Sequence, residues 1–307
     1  MHELDFINHI RRSVGQLGRA VLVGPGDDCA VLGVGGERLL VTVDQVLDGV
    51  HFLLAAHGPS AAGRKALARS LSDIAAMGGL PLAAVGSTAF PRDFPQEQAR
   101  EIHAGVQALG DQFACPLIGG DVGVWDGPLA ITITVLGRCG DVEPVLRSGA
   151  KPGDAICVTG RLGGAWASRR HLEFVPRVRE GRLLAERYRP HAMIDLSDGL
   201  ATDLRHICAE STLGADLDAA AIPIHDDVPG PPAARLRAAL TDGEDYELLF
   251  TLPSDRAEAL LTAQDLGVAV ARIGTMREGE GITFVHADGR REPLTVKGWE
   301  HRGGSEI

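Results

Sequence analysis

Apolar residues recur along this chain in two rhythms. Leu4, Ile7, Ile10 and Val14 fall at helical spacing and predict a short opening helix. Ala20–Val23, Cys29–Leu32 and Leu39–Val43 are short apolar runs that predict strands, the last delivering Asp44 at its end. Helical spacing returns from Ser60 to Met77, rich in alanine, and stops at Gly78-Gly79. A strand over Pro81–Phe90, a helix over Pro95–Gln112, a strand running into Gly119-Gly120-Asp121 and an alternating strand over Leu129–Leu136 follow. Gly137 to Gly153 reads as a linker, which places a domain boundary near residue 140 and divides 1–140 from 141–307. Beyond it come a strand over Asp154–Thr159, a helix from near Ser197, a strand over Glu247–Leu252 and a helix over Ser254–Leu266. Further strands are expected near Val268–Gly274, Ile282–His286 and Leu294–Val296. Strands mixed with helices in both halves give an α/β or α+β class.

The acidic residues break the usual division of labour, in which charge occupies polar faces. Asp27 and Asp28 lie in the turn Gly24-Pro25-Gly26-Asp27-Asp28-Cys29-Ala30, between two apolar runs. Asp44, Asp73, Asp121, Asp195 and Asp198 also stand at or beside hydrophobic segments, as does Glu244 just before Leu248-Leu249-Phe250. An Asp-rich hairpin explains the first turn alone, and a solvated helix-end aspartate explains Asp73 alone; the recurrence points to a converging site. Without cations, each close pair of carboxylates would repel by roughly 4 kcal/mol at about 4 Å in an effective dielectric of about 20. Bound Mg2+ ions, completed by phosphates and water, resolve that conflict economically.

Composition narrows the partners. The chain has 307 residues, 45% of them hydrophobic, enough for two domains or one large one. A formal net charge of −11 argues against nucleic acid or a membrane surface as partner. Aromatic residues make up only 4%, too few for stacking platforms along a single strand. Cys29, Cys115, Cys139, Cys157 and Cys208 form no CxxC pair and read as reduced thiols in a cytoplasmic protein. The first residues lack the apolar core of a signal peptide, and no apolar run approaches the roughly 20 residues that span a bilayer. The expectation is a soluble protein.

Standard nucleotide signatures are missing. In Gly58-Pro59-Ser60-Ala61-Ala62-Gly63-Arg64-Lys65, Arg64 fills the lysine slot of a P-loop, so the stretch reads as a helix start. His51 is either a ligand contact or a solvated loop histidine. A Leu-Ser-Asp triplet occurs in each half, at 71–73 and 196–198.

Eight segments in order resemble the thiamine-monophosphate kinase family. They are Gly24–Ala30, Thr42-Val43-Asp44 through Gly49-Val50-His51-Phe52, Leu71–Gly78, Gly119-Gly120-Asp121, Arg147–Asp154, Ile194–Leu200, Gly243–Leu248 and Lys297-Gly298-Trp299-Glu300-His301. The resemblance implies a two-domain fold like that of aminoimidazole-ribonucleotide synthetase. Its N-terminal α/β domains pair through their sheets in a homodimer, and each C-terminal α+β domain completes a site. It implies ATP-dependent phosphorylation of thiamine monophosphate to thiamine diphosphate, the last step of coenzyme synthesis in many bacteria. Carried over position by position, Asp28, Asp44, Asp73, Asp121, Asp195 and Asp198 would bind several Mg2+ ions, assisted by oxygen at Thr42 and Val43. Gly120, Asp121, Arg147 and Ser197 would meet ATP, with Asp44, Asp121 and Arg147 closest to the chemistry. His51, Glu244 and Trp299 would contact thiamine monophosphate. A phosphate acceptor is already anionic, so direct in-line transfer without a phosphoenzyme is expected.

The chain departs from the family pattern at Pro25, Val43, Val122 and Asp242; His103 stands where an aromatic nucleotide contact is usual, and Arg161 to Val175 is short. Sister enzymes of the same superfamily are the nearest alternatives: the purine synthetase, selenophosphate synthetase and the hydrogenase-maturation carbamoyl dehydratase. The selenium enzyme needs a reactive Cys or selenocysteine beside an N-terminal lysine, whereas the first lysine here is Lys65. The maturation protein ends in a working cysteine, and this sequence ends Gly303-Gly304-Ser305-Glu306-Ile307. A non-catalytic metal- or nucleotide-binding regulator is the alternative of a different class.

Overall fold

The computed structural model describes residues 3–299 apart from Gln16, Ala287 and Lys297, and the side chains of Glu3, Leu4, Asp5 and Asn8 are also outside the description. Lys297, Glu300 and His301 of the last motif therefore lie outside the described residues. Two mixed sheets organise the chain. The first contains β1 (Val21–Val23), β2 (Ala30–Val34), β3 (Glu37–Leu47), β4 (Leu80–Pro91), β5 (Leu117–Trp125) and β6 (Ala130–Arg138), in the order β1-β2-β3-β6-β4-β5. With it go α1 (Glu3–Ser13), the single turn α2 (Leu54–His57), α3 (Pro59–Ala76) and α4 (Gln96–Gln112). The second sheet contains β7 (Ala155–Thr159), β8 (Ala192–Asp195), β9 (Gly214–Asp218), β10 (Leu248–Leu252), β11 (Val270–Arg277), β12 (Ile282–Val285) and β13 (Arg291–Pro293), in the order β13-β12-β9-β11-β7-β10-β8. Its helices are α5 (Arg170–Glu173), α6 (Val178–Leu183), continued by a π-helical turn over Leu184–Tyr188, α7 (Leu200–Ser211), α8 (Pro232–Thr241) and α9 (Ser254–Ala263).

Helix α3 is where the two halves meet, and its alanine content follows from that position. On one side Leu67, Leu71 and Ile74 pack with Ile131, Ile133 and Val135 of β6 in one buried cluster. At Gly63 an added Cβ would stand 2.0 Å from the Ile102 carbonyl oxygen of α4, and at Gly105 of α4 it would stand 2.0 Å from that of Ser60. On the other side, a Cβ at Gly181 of α6 would lie 2.1 Å from the Ala75 oxygen. Backbones this close leave room only for small residues, since interiors are packed to crystal density. Beyond α3, β7, β8 and β10 are buried along their whole length, Ile156 and Val158 against α7 and Ala155 and Cys157 in the cluster shared with α3 and α9.

Several expectations are corrected. Strand β3 runs on to Leu47 because β6 pairs with it as far as Leu47 and Ala130, so Asp44 lies inside a strand instead of ending one. Asp121 likewise lies in mid-strand in β5. The helix after Ser197 starts at Leu200, where Asp203 accepts hydrogen bonds from the Asp198 and Gly199 amides at 3.2 and 3.0 Å. Leu294–Val296 is not a strand; Arg291–Pro293 pairs with β12 instead, and the Leu294 and Val296 carbonyls accept from Arg205 at 2.8 and 2.6 Å. The opening helix forms, yet Phe6, Ile7 and Ile10 stay exposed.

One cation is sealed into this core. Lys65 of α3 has no exposed surface, and its ammonium donates to the Glu244 carboxylate and, at 2.6 Å, to the His51 carbonyl. It thereby ties α3 to two loops from opposite halves of the chain. Burial pulls its pKa down from the ordinary lysine value to about 8, against the upward pull of Glu244. Between about 8 and that ordinary value the unfolded chain binds the extra proton, so this group makes stability rise with pH across the window. Denaturant unfolding of the wild type and Lys65→Met from pH 7 to 10 should show a positive slope difference of at most about 1.4 kcal/mol per pH unit. Parallel pH profiles would contradict the buried-lysine account.

Candidate functional site

Three carboxylates, two of them buried and that of Asp73 half-buried, converge from three elements. Asp28 comes from the glycine-rich turn before β2, Asp73 from the last turn of α3 and Asp195 from the end of β8; one oxygen of each lies within 4.8 Å of the others. Each is held by a donor from elsewhere. Arg147 reaches Asp28 with Nη2 at 2.6 Å and Nε at 3.3 Å, Ser72 Oγ donates to Asp195 at 2.6 Å, and Thr42 Oγ1 donates to Asp73. The neighbouring Asp27 accepts the Arg147 backbone amide at 3.2 Å. Alternation along β3 puts Thr42 and Asp44 on the face toward α3, where Ser70 Oγ lies 3.2 Å from Asp44.

Burial dominates the electrostatics, and mutual repulsion adds to it. The Asp195 carboxyl is raised to about 7 by desolvation and then by Asp28, and Asp27 is raised to about 7 by desolvation and then by Asp28. Asp73 is pushed well above the carboxylate range by burial, then by Asp44 and Asp195. Asp28 is also raised by burial, with Arg147 pulling the other way. Its Oδ2 is buried and has no hydrogen-bond partner. A set of hard oxygen donors that includes an unsatisfied buried carboxylate oxygen fits Mg2+. Asp198, Asp203 and His206 form a second group of possible ligands among the described residues.

Beside the carboxylates opens a cavity of about 360 Å3, lined by Val50, His51, Arg69, Trp166, Ser197, Asp198, Asp242, Glu244, Tyr246 and Trp299. The expected acceptor contacts His51, Glu244 and Trp299 are thus together, with Ser197 and Asp198. His51 is not a solvated loop residue: it is buried, and its Nδ1 accepts the Leu47 amide at 3.1 Å. Trp299 is placed by its own backbone amide, which donates to the Asp198 carbonyl at 2.9 Å. Trp166 forms another wall, stacked on His171 at 4.4 Å. Glu244 and Tyr246 hold φ angles of 61° and 50°, left-handed conformations that concentrate at functional loops.

Not every expected residue joins this group. The register Gln45–Thr132–Ser87–Asp121 puts Asp121 on the first sheet's face away from α3, on exposed strand β5, and Gly120 lies beside it. The Val43 side chain is 61% exposed, so only its backbone faces inward chemistry. Arg147 is engaged with Asp28 rather than facing the cavity. Arg69, Trp166 and Tyr246 were not foreseen; the spacing of Lys65, Arg69 and Asp73 at i, i+4, i+8 was the one available signal for Arg69.

Comparison with known proteins now bears on this geometry. Residues 26–139 match the family model for AIR synthase related protein, N-terminal domain, and residues 151–287 match that for the C-terminal domain. The thiamine-monophosphate kinase of Rhodopirellula baltica is 37% identical over 97% of each chain, and that of Bacillus subtilis is 32% identical over 98% of this chain and 99% of its own. A solved structure of AaThiL complexed with AMPPCP and TMP superposes with a TM-score of 0.84 at 28% identity, covering 98% of this chain and 97% of that one. Likeness over the full length, in sequence and in fold, carries the assignment further than any single motif does: the chain belongs to the thiamine-monophosphate kinase family, within the AIR synthase related proteins.

Proposed function

We propose that this protein transfers the γ-phosphoryl group of ATP to the phosphate of thiamine monophosphate, giving thiamine diphosphate and ADP. The observation that carries the reading is that α3 supplies Arg69 to a tryptophan-walled cavity and, one turn on, Asp73 to the carboxylate cluster with Asp28 and Asp195. Trp299 offers an aromatic face to a cationic ring, and Trp166, stacked on His171, closes another wall. Glu244, held by Lys65, and His51, fixed by Leu47, give that ring fixed polar neighbours. Ser197 and Gly120 are assigned to ATP. Asp28, Asp44, Asp73, Asp121, Asp195 and Asp198, with oxygen at Thr42 and Val43, are assigned to Mg2+. Bound Mg2+ would orient the phosphates and offset charge on the transferring group.

An oxygen of the acceptor phosphate forms the new bond to the γ-phosphorus as the bond to the β–γ bridging oxygen breaks, and ADP leaves with that electron pair. The acceptor needs no strong base, so no side chain is phosphorylated on the way. Arg147 steadies the site by fixing Asp28. In this reading residues 1–140 carry the nucleotide and metal, residues 141–307 complete the acceptor site, and the protein works in the cytoplasm.

The exposed apolar strand β5 supports a homodimer paired through the first sheet. Ile118, Val122 and Val124 are 63%, 70% and 64% exposed, a combination that isolated edge strands avoid. A partner seated there would meet Asp121 and Gly120, so their roles depend on the paired state. Light scattering should give twice the mass of one chain, and Val122→Glu should give single chains with activity reduced as far as in Asp121→Asn. A wild-type protein of single-chain mass would refute the pairing.

The reaction itself is tested by ADP release from Mg2+-ATP with thiamine monophosphate, thiamine or no acceptor, the product being identified by mass. Thiamine diphosphate should form from the monophosphate alone, without a covalently phosphorylated intermediate in rapid-quench samples. Asp44→Asn should lower turnover roughly 100-fold or more while the protein stays folded. No product from the monophosphate would sink the reading and favour a sister enzyme.

A further inference from the structure

Arg69 faces the cavity, whereas Arg147, the arginine that the motifs point to, is bonded to Asp28. Arg69 stands on α3 one turn after Lys65, which holds Glu244 at the acceptor end, and one turn before Asp73 of the carboxylate cluster. Its own bonding is poor. Nη2 lies 3.4 Å from Asp44 Oδ1, Nη1 lies 3.4 Å from the Gln45 carbonyl oxygen, and the buried Nε has no hydrogen-bond partner. A guanidinium carries five donors in a planar fork, so two contacts at the long limit leave most of its capacity unmet. An arginine serving only to neutralise Asp44 would close to the 2.6 Å seen between Arg147 and Asp28.

We propose that Arg69 binds the phosphate of the acceptor, a phosphate monoester, through two donors of its guanidinium. The inference rests on the functional reading above and adds a phosphate-recognition residue to it. Three features fit. The position on α3 lies between the groups assigned to the organic part of the acceptor and those assigned to metal. The charge is permanent, and the fork matches two phosphate oxygens, which a lysine ammonium does not. Among the described residues Arg69 is the one arginine or lysine that lines the cavity, so it is the permanent positive charge a phosphate there would meet.

Calorimetric titration of the full chain, with Mg2+ and AMPPCP present, separates this role from a structural one. Thiamine monophosphate and thiamine are compared on the wild type, Arg69→Lys and Arg69→Ala. The wild type should prefer the monophosphate. Arg69→Ala should weaken monophosphate binding by roughly 10- to 100-fold while thiamine affinity stays within about 2-fold. Arg69→Lys should fall between, retaining charge without the fork. Undiminished preference in Arg69→Ala, or equal loss of both ligands, would overturn the assignment. Should Arg69→Ala fail to fold, an undiminished preference in Arg69→Lys would overturn it and a reduced one would support it. A wild type with no preference would instead bring down the functional reading, and this inference with it.

Discussion

The structure depends on holding Asp28, Asp73 and Asp195 together, the first and last of them out of water. Ionised carboxylates at this separation and burial repel each other, and desolvation raises their pKa values further. The surrounding fold does not remove the conflict; it limits it. Arg147, Ser72 and Thr42 each satisfy one member, and Asp28 Oδ2 is left without a partner. A purely structural polar network would be completed by its own donors, because half-satisfied networks cost more than apolar packing. The unmatched oxygen at Asp28 is a donor of the kind a divalent cation takes.

Helix α3 explains how so costly a cluster is tolerated and how it suits the proposed catalysis. Its glycine and alanine contacts with α4, α6 and the first sheet hold it at close backbone approach on several sides. The same helix carries Lys65, Arg69, Ser70, Ser72 and Asp73, so cavity and carboxylates share one rigid support. Groups fixed on one helix keep their spacing when loops around them move, which phosphoryl transfer requires more than it requires a strong base. The loops that complete the site come to α3: the His51 turn through Lys65, and the Glu244–Tyr246 turn with its left-handed residues.

The carboxylates were legible because aspartates at the edges of apolar runs have no ordinary reason to be there. Their partition was not. Asp44 sits inside β3 because pairing with β6 outlasts the apolar run, and Asp121 lies on the opposite face of the sheet because the register through β6 and β4, unreadable from spacing, aligns it with Gln45 and not with Asp44. Lys65 and Arg69, one turn apart on a helix, carry no signal of their own for an inward position; the packing of α3 on several sides turns them inward. Strand β9, Gly214–Asp218, carries two aspartates in five residues, and α8 buries only Ala239 and Leu240, so neither had a strong periodic signal. Trp166 had none, since its place in the cavity wall comes from stacking on His171.

Thermal unfolding in chelator and through a Mg2+ titration, without nucleotide, measures the carboxylate cluster directly. Mg2+ should raise the melting temperature of the wild type, because a ligand that binds only the folded state stabilises it. Asp73→Asn and Asp195→Asn should melt at or above the wild type in chelator and lose most of the Mg2+ response. Variants that keep the full Mg2+ response, or that melt well below the wild type without metal, would show that these aspartates are structural and contradict the account.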